Sequence, residues 1–395
     1  MSKINRWLLP EGIEEVHPPQ AADVERLCRE ILDLFESWGY QLVMPPLIEY
    51  LDSLLTGTGE DLDLQTFKIT DQLSGRTMGI RADMTPQVAR IDAHVLKSEF
   101  PTRLCYRGTV IHTRPSGHGG TRAPLQLGAE LHGHAGVQSD AEILCLMLKT
   151  LKKARILNIH VDLGHVGIYR GLTAGLGLDG EQESLLFNAL QRKDCSELEE
   201  MFGKWSLPTQ STDMLLSLIE LNGDNEVLGK ARNALANAGE DVLKCLDELE
   251  KISSLAKAQL KDAPLYFDLA ELRGYNYYTG FTFTAYVPSQ GQGIAFGGRY
   301  DDVGKAFGRA RPATGFSTDV KNLYSLVAQQ ATIKSGIYAP YSDVPGLHEI
   351  IESLREQGEI VINALPGQKG IAEDMGCDRQ LEIKDGQWSV VKIHS

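Results

Sequence analysis

The chain has 395 residues, enough for two or three domains with large cores. Its net charge of −14 and pI of about 5.2 exclude a general electrostatic footprint for nucleic acid. No run of about 18 apolar residues occurs, which excludes a membrane-spanning helix, and MSKINRWLLPEG has no apolar stretch long enough for a signal peptide. Six cysteines (Cys28, Cys105, Cys145, Cys195, Cys245, Cys377) are scattered with no Cys-x-x-Cys pair. That usage fits reduced thiols and a cytoplasmic setting, not a disulfide framework.

In chain order, Val24, Leu27, Ile31, Leu34, Phe35 and Trp38 recur at helical spacing, and Gly39 follows as a C-terminal breaker. Residues 104–111 read as an apolar strand, 116–120 as a Gly-rich loop and 125–131 as a second strand. A helix is predicted over 139–157, with Ser139 as its N-cap and Asp140 and Glu142 in its first turn. Residues 160–163 form a short strand leading to Gly164. Residues 165–262 lack strand alternation and are rich in Leu, Ala, Glu and Lys, which predicts a helical insertion. Residues 265–300 return to strand composition, with Tyr, Phe and Thr crowded between Gly274 and Gly298.

After residue 333 the chain reads as a strand (336–339), a helix (347–357, ended near Gly358), a strand (360–364) and a hairpin (380–393). The hairpin turns at Lys384-Asp385-Gly386, where Asp-Gly is a favoured turn pair. The expected domains are 1–325, holding the insertion, and 333–395. The expected class is α+β: an antiparallel sheet flanked by helices, a helical insertion and a small C-terminal α/β unit. No internal repeat or low-complexity segment occurs.

Two antiparallel strands joined by a polar loop commonly hold a nucleotide, and such loops carry arginines that grip phosphate as bidentate forks. Residues 101–133, PTRLCYRGTVIHTRPSGHGGTRAPLQLGAELHG, have that layout. They resemble motif 2 of the class II aminoacyl-tRNA synthetases in its histidyl-tRNA synthetase version, without a gap. Further resemblances stand in the right order across residues 8–325. GYQLVMPPLIE (39–49) is similar to motif 1, and RADMTPQVAR (81–90) to an Arg-Pro-Glu-Gly-Thr segment, with Asp83 for glutamate and Met84 for glycine. LRGYNYY (272–278) resembles the Arg-Gly-Leu-Asp-Tyr-Tyr signature of histidine recognition, GGRYD (297–301) matches a further segment, and TGFSTDVKNL (314–323) occupies motif 3.

Free histidine needs anions for its ammonium, a cation for its carboxylate and polar groups for its imidazole. The resemblance implies that Asp83, Thr85 and Gln126 face the ammonium and Arg273 the carboxylate. It also implies that Glu130 and Tyr278 reach the ring nitrogens, while Tyr277 and Tyr300 wall the pocket. What ATP needs is missing. The Phe-Arg-x-Glu end of motif 2 is here Ile111, His112, Thr113 and Arg114; a loop arginine is Gly120; and the motif 3 Glu-Arg pair is Lys321 and Asn322. A charge-assisted hydrogen bond is worth roughly 1.5–3 kcal/mol, so three lost arginines cost about 4–9 kcal/mol.

A histidine pocket without the ATP arginines, followed by only a short α/β remnant, resembles the regulatory subunits of ATP phosphoribosyltransferase. The resemblance implies a chain without catalysis or cofactor of its own. It would assemble with a short catalytic subunit as a hetero-octamer, self-associate through the motif 1 region, activate its partner and mediate feedback inhibition by L-histidine, with no tRNA and no membrane partner. Two other readings stand beside it. One is a working histidyl-tRNA synthetase or related ligase, discriminated by His112, Gly120 and Asn322. The other is a tRNA-binding module, which would need a basic stripe.

Plainer readings apply to single residues. His112, His118, His132 and His134 cluster in sequence without thiolate support or zinc-like spacing, so no metal is expected. His132 and His134, two apart at a strand end, would face one side. Gly117, Gly119 and Gly120 read as a flexible loop more than a phosphate cradle. On a strand, the adjacent Tyr277 and Tyr278 would point to opposite faces.

Overall fold

The computed structural model describes residues 7–56, 60–115, 120–275, 277–327 and 335–393. The chain divides into two units, Met1–Val16 with Val24–Ala328 and His17–Asp23 with Gln329–Ser395. The strands of the first are β1 (Gln41–Leu42), β2 (Ile48–Tyr50), β3 (Phe67–Thr70), β4 (Thr77–Ile80), β5 (Thr102–Thr109) and β6 (Leu125–His132). They continue as β7 (His160–His165), β8 (Asn222–Gly223), β9 (Leu265–Asp268), β10 (Phe281–Tyr286), β11 (Ala295–Arg299) and β12 (Ala313–Asp319).

A nine-stranded sheet in the order β1-β5-β6-β12-β11-β10-β7-β9-β8 carries the unit, and β2-β4-β3 form a small second sheet. The large sheet is antiparallel from β5 through β7. Its flanks depart from the all-antiparallel expectation, because β1 joins β5 and β9 joins β7 in parallel.

Side-chain alternation gives the sheet two different faces. Leu127, Ala129 and Leu131 of β6, Val161 and Leu163 of β7 and Phe281, Phe283 and Ala285 of β10 enter the main core. Each such fully buried side chain contributes roughly 1.5–3 kcal/mol, and less for alanine. Helix Val137–Lys153 packs against helix Glu240–Gln259 and against β6, β11 and β12. The alternate residues Gln126, Gly128, Glu130 and His132 turn to the opposite face.

Helix Gln20–Ser37 buries Val24, Leu27, Cys28, Ile31 and Phe35 along one stripe. Gly39, at φ +81°, ends it. The Tyr40 amide donates to Phe35 and the Gly39 amide to Glu36, closing the last turn. The helix expected over 139–157 instead spans Val137–Lys153, capped by extended Gly136. Ser139 lies inside the first turn, where its hydroxyl donates to the Gly136 carbonyl at 2.7 Å and accepts from Arg299 at 2.9 Å. Left-handed Arg155 (φ 60°) stops helical continuation beyond Ala154.

The segment after β7 is helical from Val166–Thr173 through Glu240–Gln259, and only the two-residue β8 interrupts it. Helix Gly180–Gln191 starts with a reciprocal capping box between Asp179 and Gln182. Helix Thr85–Arg90 runs into a π-helical segment, Ile91–Leu96. Buried Asp92 on that segment holds Arg311 by two bonds of 2.8 and 2.9 Å.

The second unit has β13 (Gly336–Ala339), β14 (Val361–Asn363), β15 (Cys377–Lys384) and β16 (Gln387–Lys392), ordered β14-β13-β15-β16. Leu347 and Ile351 of helix Leu347–Glu356 pack with Ile337, Ala339, Val361 and Leu381. The hairpin turns on Asp385 (φ 49°) and Gly386 (φ 79°), the signs that a two-residue type I′ turn requires.

Candidate functional site

Register across the sheet builds the site. Glu130 lies opposite Gly315, Gly315 opposite Gly298, Gly298 opposite Thr282, and Thr282 opposite Gly164. Residues paired in this way share a face, so one row contains a carboxylate, a hydroxyl and three glycines. Glu130, Gly315 and Thr282 of this row line a cavity of about 300 Å³. Ligand pockets span roughly 300–1,000 Å³, so this one suits a ligand of amino-acid size better than a nucleotide.

Glu130 is fully buried at one end of the row. Tyr300 and Tyr106 donate to it, Tyr106 at 2.9 Å, and the Thr85 hydroxyl donates at 3.1 Å. Burial pushes the Glu130 carboxyl up to about 8, against the pull of hydrogen bonds from Tyr300 and Tyr106. The nearby Asp83 carboxylate adds to the rise. Asp83 in turn accepts from Gln126 at 2.7 Å and from the Thr85 amide at 3.2 Å.

The opposite wall is a tyrosine-rich turn. Tyr277 and Tyr278 both donate their amides to the Gly274 carbonyl at 2.8 Å, so they lie on a turn and not on a strand. Both rings therefore reach the cavity, 5.3 Å apart and nearly perpendicular, which corrects the expectation of opposite faces. Tyr277 also packs on Tyr300 at 5.2 Å. Gly274 has φ +72°, and a Cβ there would meet the Tyr278 ring at 2.6 Å. Arg170, on the first helix of the insertion, anchors the turn by donating to the Tyr275 and Tyr278 carbonyls at 2.8 and 2.9 Å.

Arg273 stands half-exposed at the rim, its guanidinium 3.8 Å from Glu271 and 5.9 Å from the Tyr286 and Phe296 rings. It is the one cation among the described residues that line the cavity. Asp83, Thr85, Glu130, Arg273, Tyr277, Tyr278 and Tyr300 all line it; Gln126 does not. Gln126 stands behind Asp83, and its Oε1 accepts the Met84 amide at 3.0 Å.

Two of the three positions where the synthetase pattern has arginines, His112 and Asn322, are engaged elsewhere. The His112 ring nitrogen Nε2 is 2.9 Å from the Ala82 carbonyl. Asn322 exchanges amide hydrogen bonds with Gln290 at 2.9 and 3.3 Å, and Lys321 pairs with Glu14 at 3.3 Å. Residues 116–119 of the motif 2 loop, including Gly117, His118 and Gly119, lie outside the described residues. His132 is buried on β6 while His134 lies beyond the strand, 3.1 Å from the Ser139 hydroxyl. No group of three His, Cys, Asp or Glu side chains able to hold a metal occurs among the described residues, where all six cysteines are free.

A family model described as histidyl-tRNA synthetase matches residues 12–323, and one described as the ATP phosphoribosyltransferase subunit HisZ C-terminal domain matches residues 334–391. The ATP phosphoribosyltransferase regulatory subunits of Thioalkalivibrio sulfidiphilus and Pseudomonas paraeruginosa are 55% and 54% identical to this chain, each alignment covering 100% of both sequences. This chain belongs to the ATP phosphoribosyltransferase regulatory subunit family. Among solved structures, an ATP phosphoribosyltransferase regulatory subunit/histidyl-tRNA synthetase from Bacillus halodurans is 27% identical, with a TM-score of 0.84 over 94% of this chain and 96% of that one. Histidyl-tRNA synthetase from Nostoc sp. PCC 7120, at 18% identity and a TM-score of 0.79, covers 98% of this chain and 97% of its own and has the same class II fold.

For this member of the regulatory subunit family, sequence reasoning missed three parts of the site. Tyr106 falls inside the apolar strand read over 104–111, yet its hydroxyl donates to Glu130. Glu271 precedes the recognised signature but lines the cavity. Gly315, within the motif 3 segment, has no role in the sequence reading, and its pairing with Glu130 is a signal that only register supplies.

Proposed function

We propose that this chain is the non-catalytic regulatory subunit of an ATP phosphoribosyltransferase, acting in the first step of histidine biosynthesis. In this reading it activates a short catalytic subunit and carries feedback inhibition by L-histidine. The observation that carries the reading is the cavity's chemistry. It offers buried Glu130 beside the half-buried Asp83, a ring of tyrosines and one rim arginine, while His112 and Asn322 are committed to other partners. Such a pocket suits a free amino acid with a basic ring and has no clamp for the charge of a reacting α-phosphate.

Histidine would place its ammonium near Asp83 and Thr85, with Gln126 steadying Asp83. Its carboxylate would meet Arg273, its ring nitrogens Glu130 and Tyr278, and its ring face the walls made by Tyr277 and Tyr300. Residues 1–325 act as the synthetase-like domain and 333–395 as a separate α/β domain. Self-association uses the motif 1 region, where Leu42, Met44, Leu47 and Ile48 are exposed, and the assembly with the catalytic subunit is a cytoplasmic hetero-octamer. Neither tRNA nor a membrane takes part; no described helix is long and apolar enough to span one.

The test is co-purification with a short catalytic subunit, followed by phosphoribosyl transfer assays with and without histidine. Stimulation by this chain that histidine reverses is the expected result. A catalytic subunit equally active alone, or insensitive to histidine in the complex, would remove the reading.

A further inference from the structure

The Glu130 row holds one more polar side chain that the proposed histidine contacts leave unused. Thr282 of β10 sits between Gly298 and Gly164 in register. It lines the cavity, is only 4% exposed, and its hydroxyl has no hydrogen-bond partner among the described residues. A buried orphan hydroxyl is unfavourable for the fold, so its persistence needs a reason outside the fold.

The surroundings show what it can reach. A Cβ on Gly298 would lie 2.9 Å from the Tyr278 ring, and one on Gly164 would lie 3.0 Å from the Thr282 hydroxyl. Gly164 therefore keeps this hydroxyl clear of a side chain on its own side, and Gly298 leaves room for the Tyr278 ring. Next along β10, Thr284 is opposite Phe296, the ring beneath the Arg273 guanidinium. Thr282 thus lies on the Arg273 side of the cavity, away from Glu130.

We propose that the Thr282 hydroxyl donates a hydrogen bond to the carboxylate of the bound amino acid, beside Arg273, and so selects for ligands that carry that carboxylate. The inference rests on the histidine reading of the pocket. Arg273 supplies charge from a half-exposed position at the rim, whereas Thr282 supplies direction from strand β10.

Calorimetry with L-histidine and with L-histidinol, its amino alcohol lacking the carboxylate, tests this on the full chain. Thr282→Val replaces the hydroxyl by a methyl and removes the donor, so histidine affinity should fall about tenfold or more while histidinol affinity changes about twofold at most. Thr282→Ser should behave as wild type, and ligand-free Thr282→Val should melt no lower than wild type. Unchanged histidine affinity in Thr282→Val, an equal loss for both ligands, or a Ser variant as weak as Val would each overturn the proposal. Absence of histidine binding to the wild type would instead bring down the pocket reading, and this inference with it.

Discussion

The Glu130 carboxylate occupies the space that any side chain at Gly315 would need: a Cβ there would stand 1.5 Å from Glu130 Oε2. The two residues are paired across β6 and β12, so neither backbone can retreat without breaking the sheet's central ladder. Gly315→Ala should therefore expel the carboxylate from its hydroxyl cage. We expect histidine affinity to fall by about 2 kcal/mol or more, with the displaced carboxyl and its former hydroxyl partners left unpaired. Titration calorimetry on the variant checks this, and wild-type affinity would show that Glu130 is not part of the ligand site.

Ionisation of Glu130 should leave a signature in stability. Its folded carboxyl is raised by burial from 4.5 to about 8. A raised acid contributes stability that is fully present below its unfolded value and lost as pH climbs through the folded one. The melting temperature of wild type minus that of Glu130→Gln should decline between about pH 5 and pH 8 and level off above. Calorimetric scans giving a flat or rising difference would mean that Glu130 is ionised throughout.

Removing single ligand partners should weaken binding in the same range. Glu130→Ala and Arg273→Ala are each expected to cost about 2 kcal/mol, because each leaves a ligand charge or polar group without its partner. Unaltered dissociation constants in both variants would move the histidine site elsewhere.

Catalytic silence is a further expectation. With no arginine from the motif 2 strand or motif 3 aimed at a nucleotide, histidine-dependent pyrophosphate exchange should not rise above a blank. Measurable exchange by the purified chain would restore the synthetase reading.

Feedback should separate from activation. Inhibition from this pocket would be a coupling between sites, typically about 1–3 kcal/mol or 5- to 150-fold. Tyr278→Ala should still assemble with and activate the catalytic subunit yet resist histidine. A variant that loses activation but keeps full inhibition contradicts the sensor role.

Much of this was legible in sequence where a periodicity had one solution. The stripe Val24, Leu27, Ile31, Phe35 can only be a helix with one buried face, and the alternation through β6 turns Glu130 away from the core. Asp385-Gly386 specified its turn. Long-range register was not legible, so the Glu130–Gly315 pairing and the Tyr106 hydroxyl beneath it stayed hidden. Nor was local chain reversal. Strand composition around Tyr277 and Tyr278 concealed a turn that left-handed Gly274 imposes, and Ser139 looked like a cap because its role toward Arg299 depends on a residue far along the chain.

The commitments of His112 and Asn322 tie both side chains into the fold. Replacing His112 by arginine would strip the Ala82 carbonyl of its partner, and replacing Asn322 would strand the Gln290 amide. Each reversion therefore starts with a loss to the fold and returns one contact of three, leaving roughly 3–6 kcal/mol of the nucleotide deficit in place. Under the proposed non-catalytic reading, restoring either arginine alone would therefore weaken the fold before it could help adenylation.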